Sequence, residues 1–120
     1  MSAETDLFAA LSASAALAAI VGTKIYPDAI PEDKAPPAVV YQRANTSHVT
    51  TVHSAAPIAE EVRFSITAWA KTRAAATGAA DAVADALVAV GHTPGDRADG
   101  IDQETGLLAT TLDVDWFHVL

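Results

Sequence analysis

Four histidines and fifteen carboxylic acids are the side chains through which this chain could perform chemistry. His48 and His53 share one polar stretch, but their spacing is not that of a helical zinc pair, and no nearby carboxylate completes a ligand set. His92 and His118 are remote in sequence, so ordinary loop and edge histidines account for the four better than a metal site. Asp96, Asp99, Asp102 and Glu104 gather around Gly100 without the alternating ligand order of a calcium loop. A solvated hairpin arm explains them with fewer assumptions. Asp113 and Asp115 stand two apart, which on a strand puts both on one face. Such a pair could do acid–base work or hold a metal. No nucleophile or third ligand joins them, however, and Trp116 and Phe117 flank them, so a subunit contact or plain sheet surface is the better reading. Thr46, Ser47, His48 and Ser54 lie outside any G-x-S-x-G nucleophile motif, and no glycine-rich phosphate loop occurs. Trp69 and Trp116 could stack a ligand, but core or interface packing is their ordinary use. The sequence therefore carries no catalytic set, no cofactor motif and no metal set, and no enzyme is expected.

Composition narrows the class further. A chain of 120 residues, 51% hydrophobic and 18% charged, reads as a single globular domain over residues 1–120. Much of the apolar share is alanine, so the few large side chains carry the core: Phe8, Phe64, Trp69, Trp116 and Phe117. A formal charge of -8 with scattered Lys and Arg argues against general nucleic-acid binding, which needs clustered cations. There is no cysteine, which fits a reducing compartment. The apolar run Ala9 to Val21 is shorter than the roughly 20 residues of a membrane span and is broken by Ser12 and Ser14. It carries Glu4 and Asp6 where a secretory leader carries basic residues. A soluble cytoplasmic protein, not a membrane one, is expected.

The elements that position these residues follow from periodicity. Thr5 is a candidate N-cap, and Leu7, Leu11, Leu17, Ile20 and Val21 form a helical stripe that Ser12 to Ser14 can split in two. Gly22 is a plausible terminator. Ile25-Tyr26 suits a very short strand, and the prolines up to Pro37 forbid a continuous helix. Ala38 to Arg43 is β-branched and aromatic, hence a strand. Asn45 to Pro57 has no sustained period and reads as a long loop or a loose hairpin projecting from the body. From Glu61 to Trp69 the chain alternates, with Val62, Phe64, Ile66 and Ala68 on one face. Thr72 caps a helix reaching about Val90, with Ala76, Ala80, Val83, Leu87 and Val90 on its buried stripe and Gly91 at its end. The last third is a hairpin turning at Thr105-Gly106, with Leu108, Thr110, Leu112, Val114 and Trp116 on one side. The expected fold class is α+β: a mainly antiparallel sheet of about four to five strands with helices packed on it.

Four stretches in this order, LFAALSASAALAAIVGTKIYPDAIP, APPAVVYQR, VRFSITAWAKTRAAATGAADAVADAL and ETGLLATTLDVDWFH, cover well over half of the chain. Together they resemble the tail terminator, or tail completion, proteins of siphovirus-type phages and gene transfer agents. That resemblance implies a structural protein of the virion tail, assembled in the host cytoplasm. Its partners would be copies of itself in a ring, expected to be hexameric, the major tail tube protein, and a head–tail connector protein. The ring would stop tube polymerisation and offer the head-joining surface, while DNA passes its lumen without specific binding. Such a ring needs one face that matches the tube end and one that does not. The acids would either line the lumen and repel phosphate or simply solvate the outside. Expected contact residues are Thr46, Ser47, His48, Val49, Thr50 and His53 in the projecting segment, with Trp69, Asp113 and Asp115. The alternatives are another neck or head–tail connector protein, a small metal-dependent hydrolase using His48 and His53, and a ligand-binding module.

Overall fold

The structure is a computed structural model that describes residues 3–28, 30, 36–50, 57–92, 94–103 and 106–119. The chain runs α1 (Ala3–Ser12), α2 (Ala15–Val21), β1 (Ile25–Pro27), β2 (Ala38–Thr50), β3 (Pro57–Ala70), α3 (Arg73–Ala89), β4 (Pro94–Ile101) and β5 (Leu108–Val119). The strands form one five-stranded sheet in the order β1-β2-β3-β5-β4. Only β1 and β2 are parallel; every other neighbouring pair is antiparallel. The α+β expectation holds, with a mixed but mainly antiparallel sheet.

Strict alternation on β3 decides which face is covered. Val62, Phe64, Ile66 and Ala68 are at most 1% exposed, and the register sets them beside Trp116, Val114, Leu112 and Thr110 of β5. The helices close over this face with Leu7, Leu11, Leu17 and Val21 from α1 and α2 and with Ala79, Ala80, Val83 and Leu87 from α3. Alanine on the inner stripe of α3 lets its backbone approach the sheet closely, while Asp81 and Asp85 face out.

Ser14 explains the break between the first two helices. Its hydroxyl accepts the Leu17 N–H at 3.2 Å, starting a new helix after an 84° bend; a cap of this kind stabilises by about 1 kcal/mol. No single helix among the described residues is long and apolar enough to cross a membrane. Thr72 Oγ1 likewise accepts from Ala75 N–H at 3.2 Å, as the sequence suggested. At the far end Gly91 takes φ +88°, and its N–H donates to the Val88 carbonyl while that of His92 donates to Leu87. This Schellman closure needs a left-handed residue, which glycine supplies without a Cβ penalty.

Four expectations change. Thr5 lies inside α1, which begins at Ala3, because the acids Glu4 and Asp6 already favour the helix N-terminus. Phe8, one step off the Leu7–Leu11 stripe, is 41% exposed instead of buried, and Val90 is 48% exposed because α3 ends at Ala89 and Val90 is its C-cap. The stretch Asn45 to Thr50 is strand, paired with β3 down to Thr50↔Pro57, so the hairpin reading replaces the loop. One extra residue between Arg43 and Asn45 shifts the register there. That bulge inverts the alternation, hiding the strand from a period-two reading.

Replacing Phe64 by alanine is expected to cost about 3–5 kcal/mol, and replacing Phe8 no more than about 1 kcal/mol. Urea unfolding of the two variants measures the difference, and equal losses would contradict the placement of these rings.

Candidate assembly surface

Helices cover one face of the sheet, so the other is the place to look for contacts. Along it the β3–β5 register sets Arg63 beside Asp115, Ser65 beside Asp113, Thr67 beside Thr111 and Trp69 beside Ala109. Arg63 Nε donates to Asp115 at 3.0 Å, with both side chains about half exposed. Asp115, through a hydrogen bond and its charge, raises the Arg63 pKa further. The Thr67 and Thr111 hydroxyls lie 3.2 Å apart. Arg63, Asp113 and Asp115 line a shallow cleft of about 150 Å³ with Gly95 and Asp96. Gly95 fits closely there: a Cβ would stand 3.2 Å from the Asp113 carbonyl oxygen, where the irregular β4 start leans on β5.

Asp113 and Asp115 do share a face, as alternation predicted, but Asp115 is engaged by an arginine. A carboxylate held this way serves as an ion-pair partner and is poorly placed as a general base. Among the described residues no group of three His, Cys, Asp or Glu could hold a metal. Thr46, Ser47, His48, Val49 and Thr50 lie on the distal half of β2, paired with β3 residues Val62 to Pro57; His53 lies outside the described residues. Trp69, half-buried, sits at the other end of β3 opposite Ala38, roughly 25 Å from Glu61 at ~3.3 Å per residue. The structure therefore does not gather the expected residues into one site. It spreads them from the distal half of β2 to the far end of β3.

Two arginines were missed by sequence reasoning. Arg73, at the start of α3, donates to the carbonyls of Ala109 (2.8 Å) and Gly100 (3.0 Å) and pairs with Asp99 at 3.3 Å. Arg97 of β4 reaches the other way, to Asp81 at 2.7 Å and to the Thr77 carbonyl. They tie β4, of which no residue is fully buried, to the helix layer. Their only sequence signal was a cation near an acid-rich arm.

His92 is likewise more than an edge histidine. Its ring stacks on Trp116 with centroids 3.7 Å apart and 17° between planes, and Trp116 meets Phe64 edge-on at 6.3 Å. Burial lowers the His92 pKa below its ordinary value near 6.5, partly offset by a hydrogen bond to the Asp115 backbone. Near α1, Phe8 and Tyr41 approach to 6.5 Å, beside the Arg43–Glu4 ion pair at 2.6 Å. Burial, then the charges of Glu4 and Asp28, raise the Tyr41 pKa.

With this geometry in view, the comparisons with known proteins are specific. The family model described as tail completion protein gp17 matches residues 5–120. A chain from a structure of the virion of a native gene transfer agent (GTA) particle superposes with a TM-score of 0.76 at 25% identity, covering 94% of this chain and 90% of that one. No curated protein matches.

Burial lowers the His92 pKa in the folded state, so as pH falls the unfolded chain binds its proton first. The stability this residue contributes is full above about pH 6.5 and is lost as pH falls below that value. Melting temperature should drop between about pH 7.5 and 5.5, and a His92→Gln variant should show a smaller drop. An equal drop in both proteins would remove His92 as the cause.

Proposed function

The chain belongs to the tail completion protein gp17 family, which gives it a structural role in phage tail assembly, and from that premise we propose that it terminates the tail tube. Copies close into a ring, six-fold by the resemblance noted above, on the head-proximal end of the tube. There they stop further addition of the major tail tube protein and present the surface that a head–tail connector protein meets. No bond is made or broken; the protein acts by shape and charge, and needs no cofactor. It ends in the tail of the virion after assembly in the host cytoplasm.

The observation that carries this reading is the family match along residues 5–120, supported by the likeness to a chain of a gene transfer agent particle. The architecture supplies what the task needs. Helices close one face of the sheet; the other carries the polar side chains of Arg63, Ser65, Thr67, Asp113 and Asp115 at one end and Ala38, Val40, Trp69 and Ala109 at the other, so the two faces are unlike. A terminator depends on that inequality, because a face that copied the tube end would let growth continue. The cleft in which Asp96, Asp113 and Asp115 surround Arg63 is the part suited to a DNA passage: excess carboxylate repels phosphate within a Debye length.

Particles assembled without this chain test the reading by electron microscopy. Tails of irregular, excessive length are expected, with normal length restored by adding the purified protein. Tails of normal length that fail to join heads would instead assign it to the neck, between portal and tail.

A further inference from the structure

The two edges of the sheet are unequal, and resting on the ring-forming reading, we infer that they are the two halves of one subunit contact: the distal edge of β2 in one copy pairs with the edge strand β4 of the next. On the first edge β1 is only three residues long and reaches no further than Tyr41. Among the described residues no strand pairs with the outer side of β2 from Gln42 to Thr50. That stretch, Gln-Arg-Ala-Asn-Thr-Ser-His-Val-Thr, has no proline and no acid, and Arg43 is its one Lys or Arg. Natural edges are usually blunted by charge, proline or short length. This one is long and almost uncharged, the character of an edge kept for pairing.

The other edge fits it. Strand β4 carries Pro94 and a register irregularity before Arg97, then an unbroken ladder on β5 from Arg97 to Ile101. Within that regular part Ala98 and Gly100 are small and exposed, and a Cβ at Gly100 would meet nothing within 4 Å. Strand β4 ends the strand order, and among the described residues no strand pairs with its outer side, which leaves that side open to a second strand. Two β4 edges brought together would set the acids of Asp96 and Asp99 against their copies, in a chain of net charge -8. Like charges directly opposite one another are destabilising. Against the acid-free edge of β2 no such repulsion arises. A β2–β4 contact is also head-to-tail, using two different patches of one subunit, and this is the kind of interface that closes a ring. A β2–β2 contact would be two-fold and would stop at a dimer. Main-chain hydrogen bonds across the joint would extend the five-stranded sheet from copy to copy.

The absence of native cysteine makes the contact directly measurable. Full-length chains bearing Ser47→Cys or Val49→Cys are mixed with chains bearing Ala98→Cys or Gly100→Cys, allowed to assemble on tail tubes, and oxidised. A disulfide forms only where Cα atoms come within about 7 Å. Mixed crosslinks above the random-collision share, in at least one of the four pairings, are the expected result. Crosslinks confined to Ser47→Cys or Val49→Cys homodimers would overturn the inference in favour of a two-fold contact. Rings on the tubes without any crosslink would overturn it too, while leaving termination intact. Copies that never join tail tubes, with or without cysteine, would overturn the functional reading itself.

Discussion

Strand β3 lies third in the order β1-β2-β3-β5-β4, and its alternation sets the face that every long neighbour must bury. Val62, Phe64, Ile66 and Ala68 point to the helices, so their partners on β5 point there too, and so do Val39 and Tyr41 of β2. A slip of one residue would send Phe64 to water and Arg63 into the core. Both helical segments come down on the same side, α1–α2 before the sheet is laid out and α3 in the crossing from β3 to β4. Among the described residues the helical segments leave the opposite side uncovered around Arg63, Asp113 and Asp115, while Ala38, Val40 and Ala109 on the same side are at most 6% exposed.

Strand β4 shows how far the covered layer reaches. None of its residues is fully buried, so apolar burial holds it little. Its ladder with β5 and the crossed reach of Arg73 and Arg97 hold it instead. These ion pairs are exposed, with side chains 35% to 62% accessible, and pairs of that kind individually contribute no more than about 1 kcal/mol. The carbonyls of Thr77, Gly100 and Ala109 accept from the same guanidinium groups, which adds geometric precision without much energy. An edge that is well positioned and weakly buried has the most to gain from a neighbour.

What could be read in the sequence follows from how one-sided each element's environment is. The β3 face, the alanine stripe of α3, the Thr72 cap, the Gly91 stop and the alternation from Leu108 to Trp116 were all legible, because helix and core fix one residue type on one side. The distal half of β2 was not. Beyond the bulge after Arg43 no apolar period marks its faces, and only pairing with Val62 to Pro57 makes it a strand. The shape of the assembly surface was hidden for the same reason. Asp113 and Asp115 could be assigned to one face, but Arg63 could be matched to Asp115 only once the β3–β5 register was known. Arg73 and Arg97 act across long sequence separations that no local pattern encodes. The stacking of His92 on Trp116 was invisible for want of the path taken after Gly91.

That stack shows how a turn signal becomes tertiary structure. The left-handed φ of Gly91 ends α3 and turns the chain so that the N–H of His92 returns to Leu87. The imidazole is thereby laid on Trp116, which meets Phe64 in a T-shaped contact. Three rings from three elements thus form one continuous column from the helix end through β5 to the centre of β3. In a core otherwise built largely from alanine and short aliphatic side chains, such a column supplies much of the aromatic contact area. It lies at the covered side of the same β5 segment whose bare side carries Asp113 and Asp115. The column thus backs the strand segment that carries the Arg63–Asp115 pair and the cleft beside it, so packing on one face of β5 fixes the strand that presents those acids on the other.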